Sequence, residues 1–553
     1  MGLRIAHIRH GAAFAALVCS SVASATPPSA LDPNPYSVGR PESVAPFFAA
    51  ARDRRVDLAI IGDSNVRFGP SAGHENGMGR AFTQRYGCYA TRLDPSGANG
   101  PWSAECLYSS CSPFDQFTGS APAWLTEDAL PNAGGFPGTH LWLEPGEALG
   151  HLYNNGLGIA ASHPMDITGP LRWHMTIYRF PAPGAGESAG YFSPTCRERW
   201  PGSAWNVYAS GTVSTTSTGE PGFMDWSFDV PAGARTSNGV MFCITDLANT
   251  GQAVGPLYSQ WNRAENTDHT TGIAYSPLLY QGGQNARNAA LSLLDIADQQ
   301  SMTEWFRQVT RLQNGPPMLL VQIMHGGNDA ASHLPAIVYE RGMPPPAEGQ
   351  SWPQGAPTNE RAGLKQNYMS IINRMRDYWV GAGNDESNLF FVIGSYFPHP
   401  PSWYESEPGA ADGTQYVFGS EEAIPAWREI CLEQPNVAMV NGYQLSTWEE
   451  FTSNAWYRIP GQPVPFGDQA HLSPTGYLVW GEAVAEAIKR ACDCGPSIDF
   501  DFDGRRGVPD LFAFLSLWFA GDQRANFDQD GPSPTVPDIF AFLASWFAGC
   551  AGH

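Results

Sequence analysis

The sequence predicts an α/β fold in which a parallel sheet is flanked by helices, and three observations predict it. The run Val56 to Ile61 is apolar without alternation and ends in Gly62-Asp63-Ser64, as a strand buried on both faces should. A second such run, Met318 to Met324, ends in Gly326-Gly327-Asn328-Asp329. From Ile273 to Ala491, strand-like and helix-like stretches alternate, the rhythm of parallel strands joined by helical crossovers.

Taken in order, the chain opens with a targeting pattern. Arg4 and Arg9 precede the apolar stretch Ala12 to Val18, and Ala23-Ser24-Ala25 has the small-x-small form of a signal-peptidase site. Residues 1–25 therefore read as a signal peptide and the protein as secreted. A lipoprotein site at Cys19 fits less well, because bulky Val18 precedes it. Residues 26–50, rich in Pro, Ala and Ser, read as a linker. The first strand follows, with a helical pattern through Met78, Phe82 and Tyr86, so 51–139 reads as the first part of the α/β unit.

Between residues 140 and 262 the texture changes to short alternating segments separated by Gly/Pro turns. Trp173 to Tyr178, Ala204 to Tyr208, Trp226 to Val230 and Val240 to Ile244 are four of them. This spacing indicates an antiparallel β-sandwich inserted into the α/β unit. Trp142, Trp200 and Trp205 would be core residues in that sandwich, or a platform on which sugar rings stack. The α/β rhythm resumes over 263–492. Strands are expected at Ile273 to Tyr280, Met318 to Met324, Phe390 to Ser395 and Val437 to Val440. Helices are expected at Ala286 to Leu312, Arg361 to Trp379 and Glu421 to Leu432, with a closing helix to Ala491.

Composition narrows the partners. The 553 residues suggest about three or four domains. Acidic residues number 53 against 31 basic, a formal net charge of −22, and Lys365 and Lys489 are the only lysines. A chain with this balance and no basic run is a poor match for nucleic acid or an anionic membrane surface. No run after the targeting segment reaches the roughly 20 apolar residues of a membrane span. In an oxidising compartment most cysteines should pair, and Cys196–Cys243 and Cys494–Cys550 are the expected bridges.

Three blocks carry the chemistry. Gly62-Asp63-Ser64-Asn65 closes the first strand, Gly326-x-Asn328-Asp329 closes the 318–324 strand, and Asp468-x-x-His471 precedes the helix start Ser473-Pro474. Alone, each reads as an ordinary turn; as an ordered set they resemble the SGNH (GDSL-like) hydrolases. Asn65 stands where that family more commonly has Leu. The resemblance implies a Ser64–His471–Asp468 triad, with His471 as the base and Asp468 orienting it. It also implies an oxyanion hole made by the N–H of Ser64, the N–H of a glycine and the Asn328 side chain. Gly283, after the 273–280 strand, is the glycine chosen, with Gly282 the alternative. It lies much further from Ser64 than is usual for the family, which an inserted sandwich would explain. Asp329 reads as a structural hydrogen-bonding group, and His325 and His399 are left outside the site. The mechanism needs no cofactor.

The tail, residues 494–553, contains an internal repeat. Val508-Pro509-Asp510-Leu511-Phe512-Ala513-Phe514-Leu515 recurs 28 residues on as Val536-Pro537-Asp538-Ile539-Phe540-Ala541-Phe542-Leu543. Asp499, Asp501, Asp503 and Asp510 have the one, three, five and twelve spacing of an EF-hand-like calcium loop. Asn526, Asp528, Asp530 and Asp538 repeat it with one residue more and one charge fewer. The pair resembles dockerin-type modules, which implies structural Ca²⁺ and a cohesin-like or cell-surface docking partner. The expectation is a secreted serine esterase acting on O-acetylated carbohydrate. A lipid or thioester hydrolase, or a catalytically silent carbohydrate-binding or scaffold-docked protein, are the alternatives.

Overall fold

The computed structural model describes residues 37–63, Asn65, Phe82, Tyr86, most of 259–398, 423–457, 472–493, the two tail helices with a few residues beside them, and isolated strands between 89 and 257. Residues 1–36, with the targeting pattern, lie outside the described residues. So do Ser64, Gly282, Gly283, His399, Asp468, His471, Asp499, Asp501, Asp503, Asp528 and Asp530.

The sheet is organised around the strand Arg55–Gly62, whose eight residues are all buried. Such burial on both faces explains the unalternating Val/Leu/Ile run. Leu319–Met324 pairs parallel with one edge of this strand and Gly272–Tyr280 parallel with the other. Beyond Leu319–Met324 come Leu389–Gly394 and then Val437–Val440, again parallel. In chain order the five strands therefore stand fifth, fourth, third, first, second. The chain leaves the first strand to one side and returns on the other. The crevice between Arg55–Gly62 and Leu319–Met324 is thus the switch point where open α/β sheets bind their ligands.

Two features differ from the sequence expectation. Val38–Gly39 pairs antiparallel with Val437–Val440, and Ala45–Asp53 is a helix burying Phe47, Phe48 and Ala51. The end of the expected 26–50 linker is therefore structured, its apolar spacing hidden among Pro, Ala and Ser. The expected 286–312 helix is divided into Ala286–Leu291, a π-helical turn Ser292–Ile296, and Gln299–Thr310. The wide turn is stabilised by the Tyr378 hydroxyl, which lies 2.8 Å from the Leu293 carbonyl and 2.5 Å from that of Ala297.

The sheet does not stop at its parallel part. Ala90–Arg92 pairs parallel with Gly272–Tyr280 and antiparallel with Ser259–Asn266, which leads on to Leu171–Arg179 and Gly222–Val230. The backbone ladder therefore runs unbroken across the boundary expected at residue 262. A second antiparallel sheet holds Ala148–Gly158, Val240–Ala248, Tyr191–Arg199 and Val213–Ser214, with Asn206–Ser210 paired to Tyr191–Arg199. Within it Cys243 and Cys196 stand opposite one another in the register.

Where the antiparallel extension meets the first parallel strand, three buried side chains are bonded together. Arg55 donates to Glu265 at 2.5 Å, the other Glu265 oxygen lies 2.7 Å from His174 Nε2, and the Arg55 guanidinium sits 5.0 Å from the Tyr89 ring centroid. Burial pushes the Glu265 carboxyl up, but hydrogen bonds from His174 and Arg55 and the Arg55 charge outweigh it and hold it at about 2.

In the tail, Val508–Phe519 and Val536–Ala548 are helices. Their equivalent rings, Phe514 and Phe542, stack at 4.1 Å, and Phe500 and Phe527 close over them. Each helix leaves the same three large apolar residues exposed: Val508, Phe512 and Phe519 in the first, Val536, Phe540 and Phe547 in the second. Among the described residues no helix is long and apolar enough to cross a membrane.

Glu265→Gln keeps the shape of the junction but removes the charge facing Arg55. A buried pair broken on one side typically costs about 3 kcal/mol, so urea denaturation at pH 7 should show a loss of that order. Because the folded pKa lies below the unfolded one, the stabilisation is present above about pH 4 and fades towards pH 2. Parent and variant should converge over that window.

Candidate active site

The C-terminal ends of the first and third parallel strands are joined by one carboxylate. Asp63, fully buried, follows Gly62 directly, and its Oδ1 accepts the backbone N–H of Asn65 at 2.9 Å. This local loop encloses residue 64, the turn chemistry for which Asp is favoured. Asp63 Oδ2 accepts the Tyr396 hydroxyl at 3.1 Å and faces Asn328 Nδ2 at 3.5 Å. Tyr396 comes from the loop after Leu389–Gly394, where Gly394 (φ 84°) and Ser395 (φ 62°) are left-handed and turn the chain back towards the first strand. Its hydroxyl oxygen lies where a side chain at residue 327 would begin: a Cβ on Gly327 would be 2.3 Å from it. The glycine before Asn328 is therefore a steric requirement.

Asn65 carries the connection further. It is buried, donates from Nδ2 to the Tyr396 hydroxyl at 2.9 Å, and accepts the Tyr477 hydroxyl on Oδ1 at 2.8 Å. Tyr477 lies in the first turns of the helix Pro474–Asp493. That helix start is pinned by the Leu472–Tyr457 bridge, by the Ser473 N–H on the Trp456 carbonyl at 2.6 Å, and by the close fit of Gly476 over the same carbonyl. Tyr477, six residues after His471, is thus bonded to the residue immediately after Ser64.

Asn328 and Asp329 are held from two sides. Tyr368, on the helix Arg361–Gly381, donates to the His325 carbonyl at 2.8 Å and accepts the His325 N–H at 3.0 Å, clamping the chain as it leaves the third strand. Asp329 is fully buried, and both its oxygens lie within 3.1 Å of the Ala286 N–H, at the start of the helix that Asn285 caps. Burial drives the Asp329 carboxyl up; the Ala286 N–H opposes this, and the Asp63 charge adds to it, leaving a pKa of about 8. The bond also ties residue 286, three positions after Gly283, to the neighbour of Asn328.

Of the residues named from sequence for catalysis, Asn328 is described and lies against Asp63. Ser64, Gly283, Asp468 and His471 lie outside the described residues, as does Gly282, while Asn65, Ala286 and Tyr477, one, three and six residues beyond Ser64, Gly283 and His471, enter this bonded cluster. Asp329 accepts the Ala286 N–H. Sequence reasoning passed over Asn65, Tyr396 and Tyr477 as members of the cluster. The signal for the first was present: a polar residue at a position where an apolar one is commoner. The two tyrosines carry no comparable mark. A groove of about 840 Å³ beside Tyr339, Arg361, Lys365, Met369 and Asn373 contains none of the three blocks.

In the tail, Asp510 Oδ2 accepts the Gly507 N–H at 2.7 Å, and Asp538 Oδ2 accepts the Thr535 N–H at 2.6 Å. Both carboxylates are buried. The two helices start with the same bond, from a backbone N–H to the carboxylate three residues on.

No family model and no curated protein matches this chain. Among solved structures, a family two carbohydrate esterase from Clostridium thermocellum in complex with cellohexaose is similar at 10% identity and a TM-score of 0.21, covering 70% of this chain and 97% of that one. A family two carbohydrate esterase from Cellvibrio japonicus is similar at 7% identity and a TM-score of 0.21, covering 64% of this chain and 91% of that one. The mannohexaose-bound CBM27-1 of Caldicellulosiruptor saccharolyticus aligns with 23% of this chain and 72% of its own, at 14% identity and a TM-score of 0.16. At such scores these likenesses carry no argument, and the α/β assignment rests on strand order and direction.

Asp329→Asn keeps an acceptor for Ala286 but cannot ionise. With a folded pKa of about 8 and an unfolded one of about 4, the parent loses stability as pH rises from 4 to 8. The variant lacks that slope, so thermal melts between pH 5 and 8.5 should show it gaining on the parent as pH rises, levelling off above about 8.

Proposed function

We propose that the chain is a secreted serine esterase of the SGNH kind, with O-acetylated carbohydrate as its substrate class. The observation that carries this reading is the linkage of the blocks. Asp63, Asn65, Ala286, Asn328, Asp329 and Tyr477, each within or a few residues from a block named from sequence, are bonded into one cluster at the switch point of the sheet. Ser64 Oγ attacks the ester carbonyl while His471 takes its proton and then returns it to the leaving alcohol. Asp468 holds the imidazole in the productive tautomer. The oxyanion is met by the N–H of Ser64, that of Gly283 and the Asn328 amide, whose anchorage on Asp63 presets its direction. Water then hydrolyses the acyl-enzyme with His471 again the base. The carbohydrate preference rests on the company that dockerin-like modules keep with polysaccharide-acting proteins, which is an association and not chemistry.

Purified mature protein should release acetate from acetylated xylan or pectin and cleave short-chain nitrophenyl esters. Ser64→Ala and His471→Ala should each abolish this with the fold intact. Asn328→Ala should lower kcat by 10²- to 10³-fold, about 3 to 4 kcal/mol, with KM little changed. Preference for long-chain lipid or thioester substrates would move the substrate class. Unchanged turnover in Ser64→Ala would overturn the nucleophile.

We also propose that the tail binds Ca²⁺ in two loops of unequal strength and serves to dock the enzyme on a cohesin-like or cell-surface partner. The donor set is all oxygen, which suits a hard cation. The capping bonds set Asp510 and Asp538 equivalently at the ends of their loops. Asp499, Asp501, Asp503 and Asp510 would hold the first ion. Asn526, Asp528, Asp530 and Asp538 would hold the second, more weakly, for want of one charge and because of Pro532 and Pro534. Titration calorimetry should show Asp503→Ala removing the tighter event and Asp530→Ala the weaker one, with esterase turnover unaffected.

A further inference from the structure

The bonds around Asn65 form a chain with one direction. The Tyr477 hydroxyl donates to Asn65 Oδ1 at 2.8 Å, Asn65 Nδ2 to the Tyr396 hydroxyl at 2.9 Å, and the Tyr396 hydroxyl to Asp63 Oδ2 at 3.1 Å. The end of the chain gives its sense: the Tyr396 hydroxyl donates its one hydrogen to Asp63 and therefore accepts from Asn65. The amide oxygen of Asn65 is then turned to Tyr477, the only arrangement in which all three contacts are satisfied. Bonds aligned this way polarise one another, and the anionic terminus strengthens the last. The cluster is buried: Tyr477 is 1% exposed, Asn65 2%, Tyr396 3% and Asp63 0%.

The chain links three separate parts of the fold. Asp63 and Asn65 flank Ser64 at the end of the first strand. Tyr396 arrives from the loop after Leu389–Gly394. Tyr477 belongs to the helix that begins just beyond His471. We infer that Asn65, Tyr396 and Tyr477 are positioning residues that hold Ser64 and His471 at their working separation, a role that rests on the esterase reading above. None of the three touches the reacting atoms in this account. Asn65 acts through the backbone on either side of Ser64, Tyr477 through the helix start that fixes the His471 segment, and Tyr396 through both Asp63 and the Gly327-Asn328 turn on which it packs.

Tyr396→Phe and Tyr477→Phe each delete one oxygen and leave the ring in place, and Asn65→Leu removes the amide at near-constant volume. The full-length mature protein is tested with a nitrophenyl acetate assay, the rate of covalent labelling of Ser64 by a fluorophosphonate, and thermal melts. A misplacement of about 1 Å is enough to cost roughly 10²-fold in rate. Each variant should therefore lose roughly 10- to 100-fold in kcat and in labelling rate, while KM stays within about two-fold and the melts show a folded protein. The double Phe variant should lose less than the two single losses combined, because both hydroxyls bond to the one Asn65 amide. A merely structural role would lower the melting temperature without this separation of kcat from KM. Folded Phe variants that turn over and label at the parental rate overturn the inference while leaving the esterase reading in place. A parent that neither labels at Ser64 nor cleaves any ester overturns both. Should Asn65→Leu fail to fold, the two single-atom variants decide the matter.

Discussion

Asp63 is the point on which the catalytic end of this protein turns. It is wholly buried, it accepts on both oxygens, and donors from three chain segments meet it. Such a group leaves its surroundings little freedom, because every neighbour must present a hydrogen. From that constraint follow the sense of the Tyr396 hydroxyl, the flip of the Asn65 amide and the direction of the Asn328 side chain. The same requirement excludes any side chain at residue 327, since Tyr396 can reach the carboxylate only across a glycine.

The two buried carboxylates Glu265 and Asp329 show how differently the fold treats a charge out of water. Glu265 has an arginine and a histidine as partners and stays ionised, with a pKa of about 2. Asp329 is deeply buried, with backbone N–H groups as donors and a like-charged neighbour, and its pKa rises to about 8. The first braces the antiparallel extension against the parallel sheet through a salt bridge. The second braces the helix start after Gly283 against the Asn328 turn through a hydrogen bond that survives without charge. Joining elements with a near-neutral acid keeps a second full negative charge away from Asp63, beside which it would be costly.

Much of the parallel core was legible in the sequence because burial on both faces leaves a plain mark. Arg55–Gly62, Leu319–Met324 and Val437–Val440 each appear as an unalternating apolar run. The helix Ala45–Asp53 was not legible, since its Phe47 and Phe48 are surrounded by the Pro and Ala that also make linkers. Neither was the continuity of the antiparallel strands with the main sheet, because alternation says that a strand has two unlike faces and nothing about which strand lies beside it. At the site, turn residues could be found from their small-residue spelling. Tyr396 and Tyr477 could not, because a tyrosine that serves with its hydroxyl is spelled no differently from one that serves with its ring.

Strand order has a further consequence, in time and not in space. The first strand lies at the centre of the parallel array, yet both its partners come late: Gly272–Tyr280 and Leu319–Met324 follow the whole of residues 63–271. A chain emerging from its N-terminal end therefore exposes this wholly buried strand long before either neighbour can pair with it. Closing so long a loop adds only modestly to the free energy of folding, but pairing over such distances is slow and leaves strand edges open meanwhile. The strand that anchors the finished site is thus also a segment long at risk of pairing with the wrong partner, and holding it in check until residue 272 arrives falls to whatever attends the nascent chain.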